Sequence, residues 1–320
     1  MKNVITRTPL RITFTGGGSD LPQFYRKEPG AAVNASIDKY IYITIHNSFY
    51  KNYQVVYSQR DVADSIDGIK HPVAREACRL LGIKPGLEIV SLSDVPSRGT
   101  GLGSSSAYTV GLLNALHTWI GQPMGQKELA QESVYIEREV LKEAGGKQDQ
   151  YIVSYGGIKF FRFNPDDSVE VDHVYLSEDN IKGFQKHLML LYTGTDRSSA
   201  EIHNTQKEKD NTALYRKMAE IAEEHYEHLK KQDWRSTGRL LKDTWDVKHA
   251  MGGNSNKEID SLINNALDSG ADGAKLIGAG GGGFILVFAD PRKHAEIEAS
   301  LGLRKLDFGF SQGSTIVYID

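Results

Sequence analysis

An α+β fold in two domains is what this sequence predicts, and three observations carry the prediction. Short alternating, β-branched runs lie toward both ends of the chain, long amphipathic helical patterns fill much of the second half, and three glycine clusters stand far apart, at residues 16–18, 99–103 and 278–283. The chain has 320 residues, long for one domain and comfortable for two.

Taken in order, residues 11–14 (RITF) and 39–49 (KYIYITIHNSF) are rich in β-branched and aromatic residues and read as strands. Residues 86–96 (GLEIVSLSDVP) read as a third, stopped by Pro96. The stretch 107–120 is apolar on most sides, the mark of a buried helix. Residues 127–143 form an amphipathic helical pattern ending at Ala144-Gly145-Gly146. A turn at Tyr155-Gly156-Gly157 leads into a strand at 158–163 (IKFFRF), and Asn164-Pro165-Asp166-Asp167 is a turn cluster near which a soft domain boundary is placed. The second half opens with a strand at 187–194. Helices are expected at 211–231, with Leu214, Met218, Ile221 and Leu229 on one face, at 234–249 and at 257–269. The strands KLIG, FILVFAD and TIVYID close the chain, with a helix around 291–300.

Composition narrows the function class. The hydrophobic share of 39% and charged share of 25% suit a soluble globular protein, and the net charge of −3 provides no basic surplus for nucleic acid. No apolar run has the length to span a bilayer, and MKNVITRTPL lacks a signal-peptide layout, so no membrane partner and a cytoplasmic location are expected. The single cysteine, Cys78, excludes a disulfide within the chain and, in the helical run VAREACRLLG, reads as a small core residue. Oligomeric state stays open, self-association included.

Four stretches carry candidate chemistry. GTGLGSSSAYTVGLLNA (99–115) lies between a strand and the buried helix, where free N–H groups and a partial positive charge favour an anion. Gly99, Gly101 and Gly103 let the backbone curl around phosphate, and a hydroxyl of Ser104, Ser105 or Ser106 could ligate Mg²⁺. Neither the Walker pattern nor G-x-G-x-x-G is matched. The alternative is a tight connection with a serine helix cap. TFTGGGSDLP (13–22) ends a strand and presents Gly17, Gly18, Ser19 and Asp20, an Asp suited to sugar hydroxyls or, alternatively, to capping a helix. In GAKLIGAGGGGFILVFAD (273–290) five glycines fall between Gly278 and Gly283, more than a hairpin needs, so either something approaches that backbone closely or the turn is loose. EAGGKQDQYIVSYGG (143–157) places Lys147 and Asp149 two apart on a loop, each a candidate for chemistry or for a plain cap or surface charge. Glu137, on the preceding helix, could face the phosphate loop.

Together these pieces resemble the GHMP small-molecule kinases: strand, glycines and Asp at the N-terminus, P-x-x-x-G-L-G-S-S-[SA] near residue 100, a G-x-x-x-D-Q segment near 150 and G-A-G-x-G-G at the end, in order over nearly the whole chain. LRITFTGGGSDLP departs from the galactokinase pattern and, with TGTDRSSAEIHNTQ and WDVKHAMGGNSNKEID, resembles the heptose-phosphate kinases, with fucokinase domains as near relatives. The resemblance implies a two-domain GHMP kinase fold with a ribosomal protein S5 domain 2-like N-terminal domain (1–165, ATP-binding) and a ferredoxin-like C-terminal domain (166–320). It implies transfer from ATP, with Mg²⁺, to the anomeric hydroxyl of D-glycero-α-D-manno-heptose 7-phosphate, giving the 1,7-bisphosphate on the way to GDP-heptose for capsule or other surface polysaccharide. Fucokinase or another sugar 1-kinase, and a non-catalytic sugar and nucleotide sensor, are the alternatives.

Carried over residue by residue, the resemblance assigns Gly99, Gly101, Gly103, Ser104, Ser105 and Ser106 to the ATP phosphates, and Ser106 (or Ser105) with Glu137 to Mg²⁺. Asp149 becomes the general base, expected chiefly to orient an already acidic anomeric hydroxyl and accept its proton late. Arg11 lies near the reaction centre, and Lys147 stabilises Asp149 or contacts the γ-phosphate. Asp20 with Gly17, Gly18 and Ser19 holds the sugar, and Gly281 and Gly282 line the cleft. Arg197 is counted among the substrate-binding residues, and Arg7, Arg197 and Lys248 are equal candidates for the sugar's own phosphate.

Overall fold

The computed structural model describes residues 3–96, 99–194, 210–253 and 255–320. Its first sheet is built on a long hairpin, β1 (Asn3–Thr15) and β2 (Gly30–Asn47), connected through the short helix α1 (Pro22–Tyr25). Both strands exceed the expected segments. β1 runs straight through Pro9, where the register against β2 shifts between Pro9 and Leu10, so the missing N–H is absorbed by an irregularity instead of ending the strand. β3 (Tyr53–Val56), β4 (Arg60–Ala63), α2 (Pro72–Leu80) and β5 (Leu87–Ser93) follow. Cys78 is fully buried on α2, as its setting predicts.

α3 (Ser104–Trp119) is buried along almost its whole length, which explains its apolar circumference. The next helical pattern splits in two: α4 (Gln126–Val134) passes into a π-helical turn, Tyr135–Val140, whose wider winding closes with Leu141 N–H donating to the Ile136 carbonyl. α5 (Gln148–Tyr155), β6 (Ile158–Phe163) and β7 (Val169–His173) complete this half, and the expected turn at 164–167 joins β6 to β7.

The second half holds α6 (Glu178–Lys186), β8 (Leu188–Tyr192), α7 (Thr212–Lys230), α8 (Thr237–Met251), entered through a 3₁₀ turn at Trp234–Ser236, and α9 (Lys257–Asp268). β9 (Gly273–Leu276), β10 (Phe284–Phe288), α10 (His294–Leu301), β11 (Arg304–Lys305) and β12 (Thr315–Ile319) end the chain. The first sheet has eight strands in the path β12-β1-β2-β5-β3-β4, with β6 and β7 branching from β2. The second has four, in the order β11-β8-β10-β9. The β6–β7 hairpin spans the expected division after residue 165, and β12 returns to pair with β1, so the first sheet draws on both sides of that division. Among the described residues no helix is long and apolar enough to cross a membrane.

The sheets are joined at the end of β1. α7 and α8 pack across this junction. Here His225 of α7 bonds Thr15 (3.2 Å) and Thr237 (2.9 Å), while the Lys275 ammonium on β9 donates to the carbonyls of Thr13 (2.9 Å) and Phe14 (3.0 Å). The glycine loops open beside that junction.

Candidate active site

A cleft of about 680 Å³ lies where the three glycine clusters converge. Gly99, Gly101 and Gly103 all take left-handed φ values (+71°, +73° and +75°), backbone that other residues adopt at a cost. The close approach expected at the third cluster comes from the first: a Cβ on Gly101 would stand 2.6 Å from the Ile277 carbonyl oxygen, and one on Gly278 would stand 2.6 Å from the Gly101 Cα. The loose-turn alternative for the third cluster thus gives way to loop-on-loop packing.

The serines do not cap α3. Gly103 is the N-cap and no side chain bonds the first-turn N–H groups. The Ser104 hydroxyl is buried without a partner among the described residues, Ser105 is exposed, and Ser106 donates to Glu137 Oε2 at 3.1 Å. All three line the cleft. An uncapped helix start after three left-handed glycines is a cradle suited to phosphate.

Glu137 rides on the π-helical turn and is 1% exposed. Its Oε2 also accepts from Gln150 Nε2 (2.6 Å) and lies 3.4 Å from Arg138, while its Oε1 has no hydrogen-bond partner among the described residues. Burial raises its pKa, and the Arg138 charge only partly offsets that. An orphaned carboxylate oxygen beside a serine hydroxyl suits a hard divalent cation such as Mg²⁺. Among the described residues no cluster of three or more His, Cys, Asp or Glu could hold a metal. A cation here would therefore take its remaining ligands from phosphate oxygens and water.

Asp149, in the first turn of α5, is gripped by Arg11 of β1: Nε to Oδ1 at 2.7 Å and Nη2 to Oδ2 at 2.5 Å. Arg11 Nη1 also donates to the Gly101 carbonyl, so one guanidinium ties the carboxylate to the glycine loop. Asp20 is no helix cap, since Leu21 holds that place on α1. It accepts from Gly18 N–H (3.1 Å), Gln148 N–H (3.0 Å) and Gln148 Nε2 (3.2 Å). Burial raises its pKa, the Gln148 N–H pulls the other way, and the nearby Asp149 charge adds to the rise.

Not every expected residue reaches the cleft. Lys147 turns away: its ammonium donates to the Asp167 carbonyl (2.9 Å) and carboxylate (3.0 Å) and lies over the Tyr25 ring, because the turn after β6 brings an acidic partner within reach. The Ser19 hydroxyl is a buried staple, donating to the Gly16 and Ala31 carbonyls and accepting from Ala31 N–H. Gly17, Gly18 and Gly282 line the cleft, whereas Gly281 does not. Arg7 stacks over Tyr40 on β1, away from the lining. Arg197 lies outside the described residues.

The cations that line the cleft besides Arg11 and Arg138 are Lys248 and Lys275. Lys248 donates to the carbonyls of Leu276 (3.2 Å) and Gly278 (2.6 Å). Burial, with the Arg11 charge behind it, brings Lys248 down to about 7. Lys275 is lowered well below its usual value by burial, then by the charges of Lys248 and Arg11. Lys275, Gln148 and Tyr215 went unnoticed in the sequence. A lysine inside the apolar strand before the glycine run was the available signal for Lys275.

Comparison with known proteins fits this geometry. A family model described as GHMP kinases N terminal domain matches residues 69–157, and one described as GHMP kinases C terminal matches residues 226–302. The D-glycero-alpha-D-manno-heptose 7-phosphate kinase of Campylobacter jejuni is 30% identical, over 98% of this chain and 98% of its own. The L-fucokinase/L-fucose-1-P guanylyltransferase of Bacteroides fragilis is 24% identical over 94% of this chain and 35% of its own length. A crystal structure of a D-glycero-D-manno-heptose 1-phosphate kinase from Bacteroides thetaiotaomicron superposes with a TM-score of 0.81 at 25% identity, covering 99% of both chains.

Proposed function

The chain belongs to the GHMP kinases and is a sugar kinase, and from that premise we propose that it transfers the γ-phosphoryl group of ATP to the anomeric hydroxyl of D-glycero-α-D-manno-heptose 7-phosphate, giving the 1,7-bisphosphate. The carrying observation is the Arg11–Asp149 grip inside the cleft that the glycine-serine loop and Asp20 share. Phosphoryl transfer asks for positioning and charge neutralisation more than for covalent chemistry.

In this reading the loop from Gly99 to Ser106 holds the ATP phosphates, and Asp20 accepts from sugar hydroxyls. Arg11 fixes the Asp149 carboxylate so that it faces the anomeric hydroxyl. The sugar oxygen bonds to the γ-phosphorus, the bond to the ADP oxygen breaks, and the hydroxyl proton passes to Asp149. Mg²⁺, held by Ser106 and Glu137, supplies charge neutralisation at the phosphates when bound. Lys248 and Lys275 line the same cleft, and although burial disfavours their charged forms, phosphates bound there would favour them.

The names of the relatives differ in one respect: one carries the sugar's phosphate at carbon 7, the other at carbon 1. Both routes would end at the same bisphosphate, so the test rests on substrates. Purified protein with ATP and Mg²⁺ is offered the heptose 7-phosphate, the heptose 1-phosphate, free heptose, fucose and galactose, with ³¹P NMR of the products. Turnover of the 7-phosphate well above the others is expected. Turnover of unphosphorylated sugars alone would overturn the substrate assignment.

A further inference from the structure

We propose that Tyr215 is a specificity residue for the sugar: its phenol donates to a hydroxyl of the substrate that Asp20 receives from the other side. The inference rests on the reading of the cleft as a sugar site. Tyr215 stands in the first turns of α7, is 3% exposed and lines the cleft. Its ring packs on Phe24, with centroids 5.9 Å apart, and on the backbone of Gly18, where a Cβ would come within 3.2 Å of Cε1. Gly18, at φ +98°, is thus required both by its conformation and by the ring against it.

The Tyr215 hydroxyl is buried and has no hydrogen-bond partner among the described residues. A buried phenol without a partner weakens the fold unless a ligand satisfies it. The Gln23 and Asn211 side-chain amides stand beside it as weak donors, short of hydrogen-bond geometry, and Asp20 acts on it through its charge, so the phenol's own proton is left without an acceptor among the described residues. Burial pushes the phenol above its ordinary pKa, so it keeps its proton and serves as a donor at neutral pH. Asp20, its three bonds already made to Gly18 and Gln148, keeps lone-pair capacity on the carboxylate.

A donor beside an acceptor selects the ligand. A sugar hydroxyl both donates and accepts, and so matches the pair. A phosphate would meet the Asp20 charge, and an apolar group would leave both side chains unsatisfied. The site therefore reads a neutral hydroxyl, and the sugar's phosphate is held elsewhere.

The test is Tyr215→Phe, which keeps the ring and deletes only the hydroxyl, assayed with the sugar that the wild type turns over best. The expected result is a KM for the sugar raised about 10-fold, with kcat and the KM for ATP nearly unchanged and no loss of Tm. In a series of deoxy sugars, the variant should also lose discrimination against the analogue lacking the clamped hydroxyl. An unchanged KM for the sugar in an active variant, or discrimination equal to wild type, overturns the role of Tyr215 and leaves the kinase reading standing. A wild type that phosphorylates no sugar at all overturns both.

Discussion

Glu137 sits where its charge is costly. It is buried, one oxygen has no partner among the described residues, and the cation beside it, Arg138, is shared with backbone carbonyls of the following loop. Such a group lowers stability unless a ligand compensates for it. Glu137→Gln should therefore leave Tm unchanged or raised, while the Mg²⁺ concentration needed for half-maximal activity rises and kcat falls about 10-fold or more. Melting curves and Mg²⁺ titrations read the two halves separately. A lower Tm with unaltered Mg²⁺ dependence would make Glu137 a structural residue. Asp149 makes the complementary case, since its charge is matched by Arg11. Asp149→Asn should reduce kcat by about 10²–10⁴-fold, with nucleotide affinity, measured by calorimetry, within about 3-fold of wild type. Near-normal turnover would remove it from the proton transfer. Local pattern left both carboxylates open between chemistry and a structural role, and only the family resemblance set them beside the phosphate loop, where both line the cleft. The course of Lys147 was hidden from both, because its partner Asp167 is 20 residues away across a turn that no local spacing reveals.

The glycine clusters act as elements of structure before they act as a site. Spacing alone shows that a loop must curl. It does not show which backbone comes near, and here the partner of Gly101 is Ile277–Gly278, in the β9–β10 connection of the second sheet. For the same reason the full length of β1 was hidden, since Pro9 reads locally as a strand breaker and is tolerated only because the register shifts beside it. The helix at 127–143 was legible as a helix, but not the π-turn that carries Glu137, which depends on packing. Loop apposition leads to a sharp contrast among glycines. Gly278→Ala would drive a methyl to 2.6 Å from the Gly101 Cα, whereas Gly121, also left-handed at φ +76°, has nothing within 4 Å. Gly121→Ala should cost only backbone strain, about 1 kcal/mol, with kinetics intact. Gly278→Ala should both lower Tm further and raise the KM for ATP about 10-fold or more, because the phosphate loop itself must move. Equal kinetic effects in the two variants would show that the loops do not position one another.

At the scale of the whole molecule, the fold class was legible because the run of strands and helices is regular, whereas the return of β12 to β1 was not, being a pairing over the full length of the chain. The junction between the sheets was equally hidden. It rests on polar side chains in apolar surroundings, and the most consequential is His225. Its ring is fully buried between Thr15 and Thr237 with Phe14 edge-on, and burial, reinforced by the charges of His228 and Lys275, brings its pKa down to about 3. An unfolded chain binds a proton at this histidine near the ordinary imidazole value of 6.5. Between these two values the unfolded state holds one more proton than the folded state, so stability present above pH 6.5 is lost as pH falls toward 3. Asp20 and Glu137 act in the opposite direction, because their raised pKa values let the folded state take protons first as pH falls. That contribution is common to the wild type and to a variant changed only at His225, so it cancels when the two are compared, and the histidine's own effect develops as pH falls from 6.5 to 5. Over that window His225→Gln, which keeps a hydrogen-bonding side chain but does not titrate, should show a shallower decline of unfolding free energy than the wild type. The difference approaches one proton, about 1.4 kcal/mol per pH unit, toward pH 5. Urea unfolding at half-unit intervals measures both slopes. Parallel slopes would mean that His225 is protonated in the folded protein and that the junction between the sheets is wetter than its packing indicates.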